Sequence, residues 1–367
     1  MRLGVSTGGG DCAGLNAILR ALVLCARTRA DTAIIGILEG INGLSFDPPK
    51  TKNLYIPGGE GVDEFVLENL LTLGGTYLTT SNAGNPFKEP GPAADAFKKS
   101  VVRGYQKLGL DGLIVVGGDG THSIAAELAD AGVKLIGIPK TIDNDYMDSE
   151  LAVGFTSAVD VAAEALLSVK TSGASHGRIM VVEVMGRNAG FIALNSGIAA
   201  GADAILLPER PFSYEDLGKH LSTKVMNLRN HALVVCAEGA HASGEAIRYR
   251  ASSSGTKHLG GIGDAVATWL HQNLGCETRC TALGHTQRGS RPVPVDRILA
   301  ARFATKAMRL ALEKRFGTTV VLKKGEVEVG QYPAPRSRGG SGARRLDPRD
   351  PTIITAQDLG IYCGGQG

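Results

Sequence analysis

The chain has 367 residues, with Lys+Arg 39 against Asp+Glu 36, a formal net charge of +3 and a hydrophobic share of 43%. At roughly 100–200 residues per domain that length suits two domains or one large α/β unit, and the apolar share excludes disorder of the whole. Near-balanced charge gives no reason to expect nucleic acid or a membrane surface as partner, and no apolar run reaches the ~18 residues of a membrane span. The 50 glycines are scattered rather than periodic, which excludes collagen and points to many tight strand-to-helix turns.

Short β-rich apolar runs predict strands at Leu3–Ser6, Ala33–Leu38, Gly112–Val116, Lys134–Ile138, Arg178–Val184, Ala204–Leu207 and His231–Ala237. Helix-period segments follow at Leu15–Ala30, Ser123–Asp130, Ala158–Thr171, Tyr214–Asn227 and Asp264–Asn273. This alternation predicts βαβ units. Two doubly wound α/β domains with parallel-rich sheets are expected, with an active-site cleft between them at the carboxyl ends of the strands. Arg336 to Arg349 reads as a flexible basic loop. The opening Met1-Arg2-Leu3-Gly4-Val5 runs straight into a strand without the pattern of an export signal. Six dispersed cysteines (Cys12, Cys25, Cys236, Cys276, Cys280, Cys363) read as reduced thiols, and Cys276 with Cys280 lacks a second pair to complete a metal site. A cytoplasmic protein is expected.

Three strand tips carry chemistry. After the first strand, Gly8-Gly9-Gly10-Asp11 leads into a helix, where backbone N–H groups and the helix dipole can face an anion. A phosphate cradle and a purely structural turn both fit, and Asp11 would repel phosphate unless a cation intervenes. Gly8, Gly10 and Gly14, with Glu39 further on, also make a loose dinucleotide fingerprint, while no GxxxxGK[ST] run occurs. In the second tip, Gly117-Gly118-Asp119-Gly120-Thr121, a buried strand delivers a carboxylate to a helix start between glycines. An acid there suits Mg²⁺ bridging phosphate oxygens, and a plain N-cap is the alternative. The third, Pro139-Lys140-Thr141-Ile142-Asp143-Asn144-Asp145, crowds more acids onto one strand end than capping needs. Two carboxylates beside a threonine suit proton abstraction from a hydroxyl, and Lys140 offers positive charge for a transferred phosphate.

Arginine forks match phosphate bidentately. Arg178 and Arg187 flank one predicted strand, and Arg279, His285 and Arg288 follow near glycines. Glu238, ending the strand His231–Ala237, is placed to accept hydrogen bonds from sugar hydroxyls.

With these blocks in view, the chain resembles the 6-phosphofructokinase family across nearly its whole length. The resemblance rests on GGDGT (117–121), PKTIDND (139–145), VVEVMGRNAG (181–190) and LGHTQRG (283–289) in that order. GGDGT alone also occurs in NAD kinases and diacylglycerol kinases. The resemblance implies phosphoryl transfer to the 1-hydroxyl of fructose 6-phosphate. It implies Asp143 as general base, assisted by Thr141 and Asp145, with Asp119 as the Mg²⁺-binding acid, Gly10 as a backbone donor to the transferring phosphate and Arg187 as the cation stabilising transition-state charge. Gly118, Gly120, Thr121 and Lys140 complete the donor side. Arg178, Arg279, His285 and Arg288 would grip the 6-phosphate, the first two reaching in from a neighbouring subunit, and Met185, Gly186 and Glu238 match sugar-contacting positions. It further implies a homotetramer or homodimer with shared sites. The larger, donor-side domain would be residues 1–154 plus about 287–335, and the sugar-phosphate domain 155–286 plus 336–367.

ATP-using relatives have glycine after the GGD aspartate, whereas pyrophosphate users typically have aspartate there and lysine before the TIDND threonine. This chain has Gly120 and Lys140, a mixture found in ATP-dependent branches, so ATP is the expected donor and pyrophosphate the alternative. Sedoheptulose 7-phosphate is a second conceivable acceptor, and an NAD(P)-binding oxidoreductase is a remote alternative that leaves Asp119, Asp143 and the arginines unexplained. Three departures stand out. Asn82 and Ala83 occupy a segment where the family often has an arginine. Ile124 replaces a glycine near the adenine. Of two effector-site cations, Arg20 matches one and Leu24 replaces another.

Overall fold

The computed structural model describes residues 1–29, 31–81, 84–251, 257–333 and 342–365. Asn82 and Ala83, and residues 336–341 of the basic loop, lie outside them. The chain divides into two compact units, Met1–Ser157 with Arg288–Ala343, and Ala158–Gln287 with Arg344–Gly367.

The strands are β1 (Arg2–Thr7), β2 (Ala33–Ile37), β3 (Thr51–Tyr55), β4 (Gly112–Gly117), β5 (Leu135–Pro139), β6 (Ile179–Val184), β7 (Ala204–Leu206), β8 (Ala232–Ala237), β9 (Tyr249–Ala251), β10 (Lys257–Leu259), β11 (Thr278–Ala282), β12 (Thr318–Lys323) and β13 (Glu326–Gln331). The helices are α1 (Leu15–Arg27), α2 (Glu64–Asn69), α3 (Pro92–Lys107), α4 (Asp119–Ala129), α5 (Phe155–His176), α6 (Phe191–Ala199), α7 (Tyr214–His220), α8 (Ile262–Leu274), α9 (Pro294–Leu312) and α10 (Pro351–Asp358). The mixed α/β class with parallel-rich sheets is as expected. Where Tyr214–Asn227 was expected as one helix, α7 ends at His220 and a π-helical turn, Leu221–Met226, follows. The helix expected from Ser123 begins at Asp119, so that acid sits in its first turn.

In the first unit a seven-stranded sheet runs β13-β12-β5-β4-β1-β2-β3. Its five central strands are parallel, and the antiparallel edges are β3 and β13. β1, β4 and β5 are buried on both faces, which is why they read as continuous apolar runs instead of alternating ones. The chain moves outward from β1 to β2 on one side and places β4 and β5 on the other. The order therefore reverses between β1 and β4, and crevices for ligands form at the carboxyl ends beside such a reversal.

The second unit holds the parallel sheet β11-β6-β8-β7. β9 and β10 form a separate antiparallel pair.

Candidate active site

Both glycine-marked tips flank the reversal between β1 and β4. Gly8 donates its N–H to the Val116 carbonyl at 3.0 Å, tying the turn after β1 to β4. The turn is closely packed: a Cβ on Gly8 would come within 2.5 Å of Thr121, and one on Gly10 within 2.5 Å of the Arg288 guanidinium, which would have to move aside. Gly9 also adopts a φ of +77°, where side chains other than glycine are strained.

Lys140 lies behind this turn. It is 3% exposed, and its Nζ donates to the Gly8 carbonyl at 2.9 Å and to the Gly10 carbonyl. The positive charge expected near a transferred phosphate therefore clasps the turn from inside. Peptide planarity sets the consequence. With the carbonyls of Gly8 and Gly10 drawn to the ammonium, the N–H groups of Gly9 and Asp11 point to the opposite side. The Gly9 carbonyl accepts from Thr80 Oγ1 at 2.7 Å, which likewise turns the Gly10 N–H away from Thr80. Burial pushes the Lys140 pKa down and Arg288 adds to that, while Cys12, Asp11 and Asp143 oppose it. Arg288 NH1 also braces the turn, donating to the Asp11 backbone carbonyl at 3.0 Å.

β4 and β5 pair in parallel, with Gly117 opposite Pro139, and Lys140 N–H donates to the Gly117 carbonyl at 2.9 Å. Their tips leave the sheet side by side: a Cβ on Gly118 would lie 3.9 Å from that of Thr141. Asp119 and Thr121 then fall in the first turn of α4, and Gly120 is exposed with nothing within 4 Å of where its Cβ would be. On the β5 side, Thr141 Oγ1 donates to Asp145 Oδ1 at 3.1 Å and accepts from the Asp143 N–H at 3.1 Å. Asn144 takes a φ of +51°, and its side chain binds the Ala152 N–H and the Glu150 carbonyl, each at 3.1 Å. That anchor presents Asp143, 5% exposed, at the strand end.

Among the described residues no group of three or more His, Cys, Asp or Glu side chains is arranged to hold a metal. A single half-exposed carboxylate at a helix start, flanked by glycines, suits an ion that keeps its waters and arrives with a polyphosphate. Asp119 therefore fits Mg²⁺. Beside the glycine turn lies a small open cleft of about 40 Å³ lined by Gly8, Gly9, Glu39, Asn42, Ser81, Thr121 and Ile124 among others. Glu39 is engaged by Lys50 at 2.8 Å.

The second unit's residues separate into two groups. The tips of β6, β8 and β11 carry Met185–Arg187, Glu238 and His285 to one end of the sheet. Glu238 Oε1 accepts the N–H groups of Gly186 at 3.2 Å and Arg187 at 2.8 Å, with Arg187 at a φ of +54°. Arg178 and Arg279 sit at the other end, where β6 and β11 begin. Six strand residues at about 3.3 Å each put them roughly 20 Å from Met185 along the sheet.

Sequence reasoning missed several residues. Buried His122 bonds Tyr332 Oη at 2.9 Å and the Ile138 carbonyl at 3.3 Å, and burial lowers its pKa to about 4. Asn16 binds the carbonyls of Leu73 and Gly74 and the N–H of Tyr77, holding the segment that packs on the glycine turn. Gln287 accepts the Met185 N–H at 2.9 Å. Their partners lie far off in sequence, so only the LGHTQRG block pointed at any of them.

The phosphofructokinase family profile matches residues 2–311. The chain belongs to the phosphofructokinase family. Among family relatives, the chain is 39% identical to an "ATP-dependent 6-phosphofructokinase 1" of Nostoc sp., covering 99% of this chain and 98% of that one. It is 41% identical to a "pyrophosphate--fructose 6-phosphate 1-phosphotransferase" of Amycolatopsis methanolica, over 88% and 91%. A crystal structure of Pichia pastoris phosphofructokinase in the T-state matches with a TM-score of 0.76 at 27% identity, covering 90% of this chain but only 35% of the yeast chain.

Proposed function

We infer that the chain is an ATP-dependent 6-phosphofructokinase, transferring the terminal phosphoryl group of ATP to the 1-hydroxyl of fructose 6-phosphate in glycolysis. The observation that carries this is the juxtaposition at the reversal between β1 and β4. A glycine turn clasped by Lys140, the Asp119 tip and the Thr141–Asp145 tip leave neighbouring strands at the same edge. Phosphoryl transfer asks for positioning and charge neutralisation more than covalent chemistry.

Asp143 accepts the proton of the attacking hydroxyl, with Thr141 and Asp145 orienting its loop. The outward N–H groups of the glycine turn bind the transferring phosphate. Asp119 is the residue that would hold Mg²⁺, which when bound neutralises charge on the donor's phosphate oxygens. Gly118, Gly120 and Thr121 admit the donor, and Ile124 in the neighbouring cleft is placed to touch its base. Gly120 and the ATP-dependent relatives favour ATP; the Amycolatopsis likeness and Lys140 keep pyrophosphate as the second reading.

Met185, Gly186, Arg187 and Glu238 form the sugar side, with His285, Arg288, Arg178 and Arg279 reading the 6-phosphate. Because Arg178 and Arg279 lie at the far end of the sheet, we place them in the site of a neighbouring copy, which makes the enzyme a homodimer or homotetramer with shared sites. Donor-side residues then belong to the first unit and sugar-side residues to the second, apart from Arg288, which the first unit contributes. All six cysteines are free, and no described helix is long and apolar enough to cross a membrane; free thiols suit a cytoplasmic enzyme.

Asp143→Ser tests the assignment. It should lower kcat by a factor on the order of 10²–10⁴ while fructose 6-phosphate still binds, and retained turnover would remove Asp143 from its role.

A further inference from the structure

β6 and β11 begin side by side: Ile179 N–H donates to the Glu277 carbonyl at 3.0 Å, and Thr278 pairs with Ile179. That register sets Glu277 beside Arg178. Alternation along the strand returns Arg279 to the face of Glu277. The carboxylate meets both guanidiniums. Oε2 accepts from Arg178 Nε at 2.7 Å, and Oε1 accepts from Arg279 NH2. The Arg178 hydrogen bond helps hold the Glu277 carboxyl below its usual pKa, so it is an anion at neutral pH.

We propose that Glu277 is a specificity-determining residue whose carboxylate occupies the anion seat of Arg178 and Arg279 and must be displaced by the substrate's phosphate. The proposal rests on the reading of these two arginines as part of the 6-phosphate grip. A planar carboxylate and a phosphate present similar oxygens to a guanidinium fork, so both cannot hold the same N–H groups. The incumbent carries one negative charge, whereas a phosphate monoester carries ~−1.5 to −2 at neutral pH. A phosphorylated sugar can therefore evict Glu277, while a neutral sugar or a weak monoanion gains too little to do so. Discrimination arises from a built-in competitor as well as from new contacts. The side chains are 27%, 40% and 56% exposed for Arg178, Glu277 and Arg279. Solvent keeps each pair weak, and the carboxylate can be displaced without unfolding anything.

The test is phosphate binding to the full protein by calorimetry, using inorganic phosphate as the probe, for wild type, Glu277→Gln, Arg279→Ala and the double variant. Glu277→Gln should bind phosphate roughly three- to tenfold more tightly. That gain should vanish when Arg279→Ala is added, and KM for fructose 6-phosphate should fall by a similar factor. Unchanged or weaker phosphate binding would overturn the proposal, because it would make Glu277 a brace for the arginines. A gain that persists without Arg279 would overturn it equally. If phosphate binding responds as stated but fructose 6-phosphate is never phosphorylated, the enzymatic reading fails and the role of Glu277 stands.

Discussion

In the proposed reading, donor choice turns on Gly120. Nothing lies within 4 Å of the place its Cβ would take, so Gly120→Asp adds a negative charge without a clash, and its effect reports electrostatics. The variant should lose ATP turnover far more than pyrophosphate turnover; equal losses in paired assays would detach Gly120 from donor choice. His122 gives a pH prediction. Burial lowers its folded pKa to about 4, below the 6.5 of an ordinary imidazole, so between those values the unfolded chain binds the extra proton and stability falls as pH falls. From pH 6.5 to 5 this amounts to ~2 kcal/mol. Urea unfolding of His122→Gln should show a smaller loss over that interval than wild type, and parallel losses would contradict it. The candidate acids were legible at this scale because each stands within a few residues of a strand tip. The direction of Lys140 was not, since the carbonyls it serves lie 130 and 132 residues away.

At the scale of elements, the buried strands of the parallel sheet were readable as apolar runs. α9 was not expected, because four of its nine buried residues are alanines (Ala300, Ala304, Ala307, Ala311) that give little periodic contrast. It nonetheless carries Asp296, whose Oδ1 accepts the Gly154 N–H at 3.1 Å and whose Oδ2 accepts the Ser157 N–H at 2.8 Å and hydroxyl at 2.6 Å. These bonds fasten the start of α5, where the chain leaves the first unit. Asp296→Ala strands buried donors and should cost about 3 kcal/mol. Asp296→Asn keeps an acceptor and should cost less, as chemical denaturation of the two variants will show; equal costs would argue against this capping role. β13 alternates Glu326, Val327, Glu328 and Val329 as an edge strand should, yet its pairing with β12 becomes evident only from the sheet.

For the whole molecule, the proposed reading has a second copy complete the sugar-phosphate site, because Arg178 and Arg279 lie at the opposite end of the sheet from Met185, Glu238 and His285. Arg279→Ala, impaired in fructose 6-phosphate affinity, and Asp143→Ser, impaired in turnover, should therefore complement each other. Hybrids formed by subunit exchange regain activity at sites that receive neither defect, and no recovery after verified exchange would contradict shared sites. The first unit's candidate blocks could be located from sequence because each is compact, whereas Glu277 beside the two arginines depends on a strand register between segments almost a hundred residues apart. The most direct test of the account supplies the purified protein with Mg²⁺ and fructose 6-phosphate, adds ATP or pyrophosphate separately, and follows fructose 1,6-bisphosphate. Rapid formation with ATP and little with pyrophosphate is the expected result; formation with pyrophosphate alone would contradict it.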